Sequence, residues 1–301
     1  MRHLQRPTQI HRYQNLGMID PLNNDGCILI TGAGSGIGQT TALQLNMMGV
    51  KTVLVGRKQS KLEATAAMLE NRDLAYIYPR DLGEDPDGTT KWMQTIVAET
   101  GPLSGLVCLA GEQMIAPVGR VKAAQVQTLF TNNIFSSLFL AQAFADRRIN
   151  AGAGSAIVFV ASVSTRQGEK GLAFYAAGKS ALLGFMKSFA KEIAARGLRV
   201  NTVTPGLVKT PMIQNQSKVY TAAFLREHEA AYPLGGWRTG KCQRCNCVSA
   251  VGEKQLDDGQ RTDRRRRISR LILFAYNTDC FKRFGKGKTD LNAALFGEAT
   301  N

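Results

Sequence analysis

The sequence predicts a doubly wound α/β fold, a parallel sheet with helices on both faces, and three observations lead there. Short apolar runs alternate with helical patterns from residue 26 to about residue 206. The first of these runs, Cys27-Ile28-Leu29-Ile30, flows straight into a glycine-rich turn, Thr31-Gly32-Ala33-Gly34-Ser35-Gly36-Ile37-Gly38. Far downstream, a strand that ends near Ser162 precedes Tyr175 and Lys179, four residues apart. Alternating strands and helices give a parallel sheet. Right-handed crossovers make that sheet doubly wound and place ligands at the carboxyl ends of its strands.

Each element follows from local pattern. Residues 1–25 are polar and unpatterned, and we expect a flexible leader. Cys27 to Ile30 is short, apolar and bounded by glycine, which reads as a buried strand. Residues 39–48 read as a helix ended by Gly49. Thr52-Val53-Leu54-Val55 is a second strand, and residues 60–71 a helix with Leu62, Ala66 and Leu69 on its inner face. Ala75-Tyr76-Ile77-Tyr78 is a third strand, followed by Asp81-Leu82 and a helix over residues 91–99. Residues 105–111 form a fourth strand running into a loop, and one long helix is expected over residues 123–150. Residues 156–161 form the fifth strand, residues 174–195 the next helix, and Val200-Asn201-Thr202-Val203 a sixth strand closed by Pro205-Gly206.

Composition narrows the class. The chain has 301 residues, room for one large α/β domain or two small ones. No apolar run approaches the ~18 residues of a membrane helix, and no signal-peptide core is present at the N-terminus. Arg2, Arg6 and Arg12 precede the first acid, Asp20. That pattern is open to a transit peptide, although a disordered leader is the reading adopted. Six cysteines do not make a disulfide framework, and a cytoplasmic location is the simplest expectation. The net charge of +15 is unevenly spread. Residues 1–236 hold 24 basic and 16 acidic side chains, whereas residues 237–301 hold 14 and 7. Such a break marks a boundary. The expected organisation is a leader over 1–25, a catalytic domain over 26–236 and a disordered basic tail over 237–301.

The glycine turn and the Tyr–Lys pair carry the chemistry. Glycines between a strand and a helix allow a tight turn and let a pyrophosphate approach the backbone, while the helix N-terminus offers free N–H groups and a positive dipole end. Tyr175 and Lys179 share one helix face, and a phenol beside an ammonium is a proton donor with a lowered pKa.

These pieces, taken with Asp81-Leu82, Ala110-Gly111, Asn133, Ser162 and the R-V-N-T-V-T-P-G stretch at 199–206, resemble the short-chain dehydrogenase/reductase family over residues 26–236. The resemblance implies a Rossmann fold and a nicotinamide cofactor. It implies that Tyr175 is the general acid in reduction, that Lys179 lowers its pKa and binds the nicotinamide ribose, and that Ser162 hydrogen-bonds the substrate carbonyl. Asn133 would hold a water in a relay to Lys179; Asn132 stands beside it, and the choice follows the family's N-x-x-G/S pattern. Cofactor contacts are implied for Thr31, Gly32, Ser35, Gly36, Ile37, Gly38, Arg57, Asp81, Leu82, Ala110, Gly111, Pro205, Gly206 and Thr210, besides Tyr175 and Lys179. The family usually reads N-A-G where this chain has Leu109-Ala110-Gly111, so an asparagine that ties neighbouring strands is missing and local stability is expected to suffer.

Cofactor choice turns on the end of the second strand. A carboxylate there binds ribose hydroxyls and repels a 2′-phosphate. This chain has Gly56, then Arg57 and Lys58, and a guanidinium forks well onto phosphate. NADP(H) is expected over NAD(H). The expected small-molecule partner is a carbonyl/alcohol pair; the family is usually homo-oligomeric.

The tail breaks the pattern. Past residue 236 the chain reads W-R-T-G-K-C-Q-R-C-N-C and later carries Arg264-Arg265-Arg266-Arg267. Cys242, Cys245 and Cys247 lack a suitable following histidine for a zinc site, and the basic run has no fold around it to make a nucleic-acid site. No metal, nucleic acid or membrane partner is therefore expected. Allowed codons for residues 254–260, read one nucleotide later, give S-N-W-M-T-G, and those for residues 261–268 give E-L-I-V-D-G-G, the family's usual ending. The codons just before them can give V-S-G-A-I-V-F-L-L-S-E-K. We read the tail as out of frame from about residues 235–237, with the seventh strand replaced. Resequencing across the codons for residues 230–240 tests this. The competing functional readings are a nucleotide-binding remnant without turnover and, less favoured, a nucleic-acid binder acting through its basic tail. Substrate identity depends on the loop after Pro205-Gly206 and on residues 167–172.

Overall fold

A computed structural model of the protein describes residues 26–230 and 237–238. The expected leader lies outside the described residues, as do the tail cysteines, the arginine run and the out-of-frame stretch from residue 239 on.

Six parallel strands form one sheet in the order β3-β2-β1-β4-β5-β6. They are β1 (Cys27–Thr31), β2 (Lys51–Gly56), β3 (Ala75–Pro79), β4 (Leu103–Cys108), β5 (Ala156–Val160) and β6 (Arg199–Val203). The connecting helices are α1 (Gly36–Met47), α2 (Gln59–Ala67), α3 (Thr89–Thr100), α4 (Ala123–Phe130) with α5 (Ser136–Phe144), then short α6 (Ser164–Gln167) and long α7 (Ala173–Ile193). The chain builds outward from β1 in one direction as far as β3, then returns to place β4 on the other side of β1. The order reverses between β1 and β4, and a crevice opens at the carboxyl ends of strands where that happens. That topology brings the glycine turn after β1 beside the loop after β4.

All five residues of β1 are buried, as a strand covered on both faces requires. Successive side chains point to opposite faces. Leu29 accordingly joins Val53, Leu106, Ile157 and Phe159 in a cluster under α3, α5 and α7, which supply Met93, Phe144, Leu182 and Phe189. Ile28 and Ile30 join Leu54 on the other face, under Ala42 of α1 and Leu62 of α2. The larger cluster is fixed by rings: Phe159 meets Phe185 edge-on at 5.9 Å, and Phe185 stacks on Phe189 at 4.9 Å.

One expected element is corrected. The helix expected over residues 123–150 stays helical only to Phe144, with a π-helical turn at Thr131–Phe135 between α4 and α5. Asn150 caps that end, its Nδ2 donating to the carbonyls of Phe144 (2.9 Å) and Asp146 (2.8 Å). Leu103 N then donates to Ile149 O, and Ala151 N to Leu103 O, so residues 149–151 serve the start of β4. Polar residues stand at both places, Thr131, Asn132 and Asn133 at the first and Asp146, Arg147 and Arg148 at the second, but the polar face of an uninterrupted helix reads the same way.

Past β6 the chain forms β7 (Val208–Lys209), α8 (Pro211–Gln214) and α9 (Ala222–Ala230). β7 pairs in parallel with β8 (Trp237–Arg238), the first two residues of the expected tail. Among the described residues β6 is the last strand of the main sheet on its side.

Candidate active site

The crevice at the β1–β4 switch point begins with the glycine turn. Gly32 and Gly36 take positive φ (66° and 54°), which glycine alone adopts without strain. At Gly38 the reason is proximity: a Cβ there would lie 2.3 Å from Gly32 O. Ser35 is the extended N-cap residue of α1, and the helix's first turn carries no acid. Its free N–H groups and dipole therefore face an anion unopposed. α2 braces the loop from below, with Thr65 Oγ1 donating to Ala33 O (3.0 Å) and Gln39 Nε2 donating to Thr65 Oγ1 (3.0 Å). Thr210 closes over the turn: its Cγ2 would be 3.2 Å from a Cβ on Gly36. This cradle fits a pyrophosphate.

Leu109 stands where the expected asparagine is missing, and a backbone tie that does not depend on that side chain joins β1 to this loop. Thr31 Oγ1, at 1 % exposure, accepts hydrogen bonds from the backbone N–H groups of both Leu109 and Ala110 at 2.9 Å. β1 and the loop after β4 are thus joined through a threonine already in the sequence motif. Thr31 acts here on the backbone and not from the cleft wall.

The reacting end lies deeper. Tyr175 and Lys179 project from the first turns of α7, and Ser162 stands two residues past β5. Ser162 hydrogen-bonds the Tyr175 phenol. The buried Ser164 hydroxyl donates to Ser162 Oγ (3.0 Å), as does Ser164 N (3.2 Å). With its lone pairs occupied, Ser162 presents its own proton toward the phenol or a substrate oxygen. Nothing in the sequence beyond the S-V-S spacing at 162–164 singles out Ser164.

Lys179 is 7 % exposed and donates from Nζ to Val160 O at 2.9 Å. Burial pulls its ammonium down to about 8. Burial also pushes the Tyr175 phenol up to about 12, with the Ser162 hydrogen bond pulling the other way. The expected lowering of Tyr175 by Lys179 is not reached in this arrangement. Burial dominates, and the Lys179 Nζ lies 5.9 Å from the centroid of the Tyr175 ring, its own pKa lowered by the same burial.

Asn133 sits in the π-helical turn, 2 % exposed. Its Oδ1 accepts from Glu112 N (2.7 Å) and its Nδ2 donates to Glu112 O (2.8 Å), locking the loop after Gly111. A Cβ on Gly111 would meet Asn133 Oδ1 at 2.6 Å and Lys179 Nζ at 3.6 Å. Asn133, Gly111 and Lys179 are therefore packed together. Asn132 points elsewhere, donating to the Glu112 carboxylate at 3.0 Å.

One cleft of about 230 Å³ gathers Gly32, Ser35, Gly36, Ile37, Gly38, Ala110, Gly111, Ser162, Tyr175, Lys179, Pro205, Gly206 and Thr210. Thr31, Arg57, Asp81, Leu82 and Asn133 are not among its lining residues. Arg57 is exposed at the end of β2. Asp81 accepts from Gly83 N in a local turn, and Leu82 belongs to the core. Among the described residues no histidine, cysteine, aspartate and glutamate cluster could hold a metal, and no helix is long and apolar enough to cross a membrane.

Known proteins share this sequence pattern and this fold. A family profile described as short chain dehydrogenase matches residues 26–220. An uncharacterized oxidoreductase of Staphylococcus haemolyticus is 31% identical over 191 residues, 64% of this chain and 81% of that protein. A glucose and ribitol dehydrogenase homolog of Oryza sativa subsp. japonica is 32% identical over 228 residues, 70% of this chain and 74% of the relative. Among solved structures, a putative short-chain alcohol dehydrogenase from Sinorhizobium meliloti 1021 superposes with a TM-score of 0.65 at 28% identity, covering 71% of this chain and 84% of that one. An actinorhodin polyketide ketoreductase with NADPH has the same fold, with a TM-score of 0.65 at 24% identity over 73% of this chain and 88% of that one.

Proposed function

The chain belongs to the short-chain dehydrogenase family of oxidoreductases, and on that premise we propose that it moves a hydride between NADP(H) and a carbonyl/alcohol substrate, with Tyr175 as the acid and base. The observation that carries this reading is the convergence of a pyrophosphate cradle and a Ser162–Tyr175–Lys179 group in one cleft. A nicotinamide bound there supplies or accepts the hydride. The chain's own residues do the rest. Hydride arrival at a carbonyl carbon puts negative charge on the oxygen, and Ser162 donates a hydrogen bond to that charge as it develops. Tyr175 delivers the proton that completes the alcohol. Lys179, beside Asn133 and Gly111, binds the ribose end and supports the phenol's return to its protonated form.

The preference for NADP(H) rests on Arg57, exposed at the end of β2 beyond Gly56, where the 2′-phosphate of the adenine ribose would lie. The solved ketoreductase of the same fold was crystallised with NADPH. A small-molecule partner and a cytoplasmic location complete the proposal. Titration of NADPH and NADH fluorescence with the full chain, followed by a panel of aldehydes and ketones, tests it. Binding of NADPH in preference to NADH with turnover of at least one carbonyl compound is the expected result. Absence of binding by either nucleotide would refute it.

A further inference from the structure

The far wall of the cleft carries an aromatic strip that the proton chemistry leaves unused. Tyr220, Phe224 and His228 stand four residues apart on α9 and the turn before it, so they share one face. Their rings form a ladder. Tyr220 and Phe224 have centroids 5.7 Å apart, and Phe224 and His228 are also 5.7 Å apart. All three line the cleft that holds Ser162 and Tyr175. The ladder is pinned at one end. Tyr220 Oη donates to Gln113 Oε1 at 3.1 Å, and Gln216 Nε2 donates to the same oxygen at 3.3 Å. Gln113 follows Gly111 and Glu112 in the loop after β4, so this clasp ties α9 to the catalytic side of the cleft. Tyr220 is 8 % exposed and within electrostatic reach of Tyr175. Phe224 and His228, by contrast, are half-buried and keep ring surface uncovered.

We propose that the substrate is a flat cyclic or aryl carbonyl compound that lies along Phe224 with its carbonyl toward Ser162 and Tyr175; this deepens the oxidoreductase reading and rests on it. A planar ring offers stacking beyond what burial alone gives. A flexible chain of equal carbon count gives up rotamer freedom on binding and gains no stacking. A polyhydroxylated substrate could pair some hydroxyls with polar lining such as Gln167 and Glu169, but those set against the face of Phe224 would be desolvated there. Gln113 is a positioning residue in this scheme, since it holds Tyr220 and through it the ladder.

The test compares acetophenone with methyl hexyl ketone, which has the same number of carbons. The full chain with NADPH should favour the aryl ketone in kcat/KM. Phe224→Ala should shrink that preference by about threefold to tenfold, the range of an aromatic pair, and Phe224→Tyr should keep it. Phe224→Leu, which preserves apolar volume without the plane, covers the case of an alanine variant that does not fold. A parallel arm needs no turnover: Tyr175→Phe with NADP+ is mixed with the two corresponding secondary alcohols, and their binding is read by saturation-transfer NMR. The aryl alcohol should be preferred there too. Equal handling of both compounds in the unmodified chain, or a preference unmoved by loss of the ring, overturns the inference while leaving the oxidoreductase reading intact. Selective binding of the aryl alcohol with no turnover of any ketone does the reverse.

Discussion

Replacing Lys179 with methionine should make the protein more stable near neutral pH and leave it inactive. Burial lowers the lysine from 10.5 to about 8. Each pKa unit corresponds to about 1.4 kcal/mol, so the cost of holding the ammonium inside is about 3 kcal/mol. The sign follows from proton counts. Between about 8 and 10.5 the unfolded chain holds this proton and the folded chain has lost it, so folding stability rises with pH across that window. Below about 8 both states are charged and the folded form bears the full penalty. Methionine has no such penalty. It does lose the bond from Lys179 Nζ to Val160 O, and an unpaired carbonyl costs about 1 kcal/mol. Urea unfolding should therefore place Lys179→Met about 2 kcal/mol above the unmodified chain near pH 7. The advantage should shrink by about 2 kcal/mol by about pH 10, where most of the lysine in the unfolded chain is still charged but the folded form is not. A stability difference that does not change with pH would show that Lys179 is not held near neutrality by burial. A loss of stability near pH 7 would refute the argument altogether.

Three further outcomes follow from the site. Tyr175→Phe removes the proton donor while leaving the cradle untouched, so carbonyl reduction should disappear with NADPH affinity nearly unchanged; retained turnover would reassign the acid. Arg57→Ala should weaken NADPH binding by roughly 2 kcal/mol, the worth of a charged hydrogen bond, and leave NADH almost unaffected. Equal losses for both nucleotides in parallel fluorescence titrations would mean that Arg57 does not read the phosphate. Gly38→Ala places a methyl 2.3 Å from Gly32 O and 2.7 Å from Gly32 C, both backbone atoms that cannot swing away. The turn must open, which should abolish nucleotide binding and lower stability by about 1–3 kcal/mol, and normal NADPH binding by this variant would show that the turn is not the cradle.

The sheet was legible in the sequence because parallel strands buried on both faces leave continuous apolar runs, as at Cys27 to Ile30 and at Ala156 to Val160. The nucleotide turn was legible for a steric reason, since Gly32, Gly36 and Gly38 each occupy a place where a side chain would strain or collide. Other features depend on contacts between distant residues and leave no local trace. The π-helical turn at Thr131–Phe135 goes with the bonds between Asn133 and the Glu112 backbone, which lies 21 residues away. The tie from Leu109 N to Thr31 spans 78 residues. The Tyr220–Gln113 clasp spans 107 residues and belongs to a region where the sequence offered no periodic pattern. The raised Tyr175 pKa is likewise a consequence of burial, which spacing alone does not convey.

Isotope transfer tests the central claim most directly. The full chain is incubated with NADPH deuterated at the nicotinamide carbon that donates the hydride, together with a reducible ketone, and the alcohol is examined by mass spectrometry. The account predicts one deuterium on the carbinol carbon, and none when Tyr175→Phe replaces the unmodified chain at equal NADPH occupancy. Alcohol that forms without deuterium would contradict it, and so would NADPH that binds in the cleft and transfers no label to any member of a carbonyl panel.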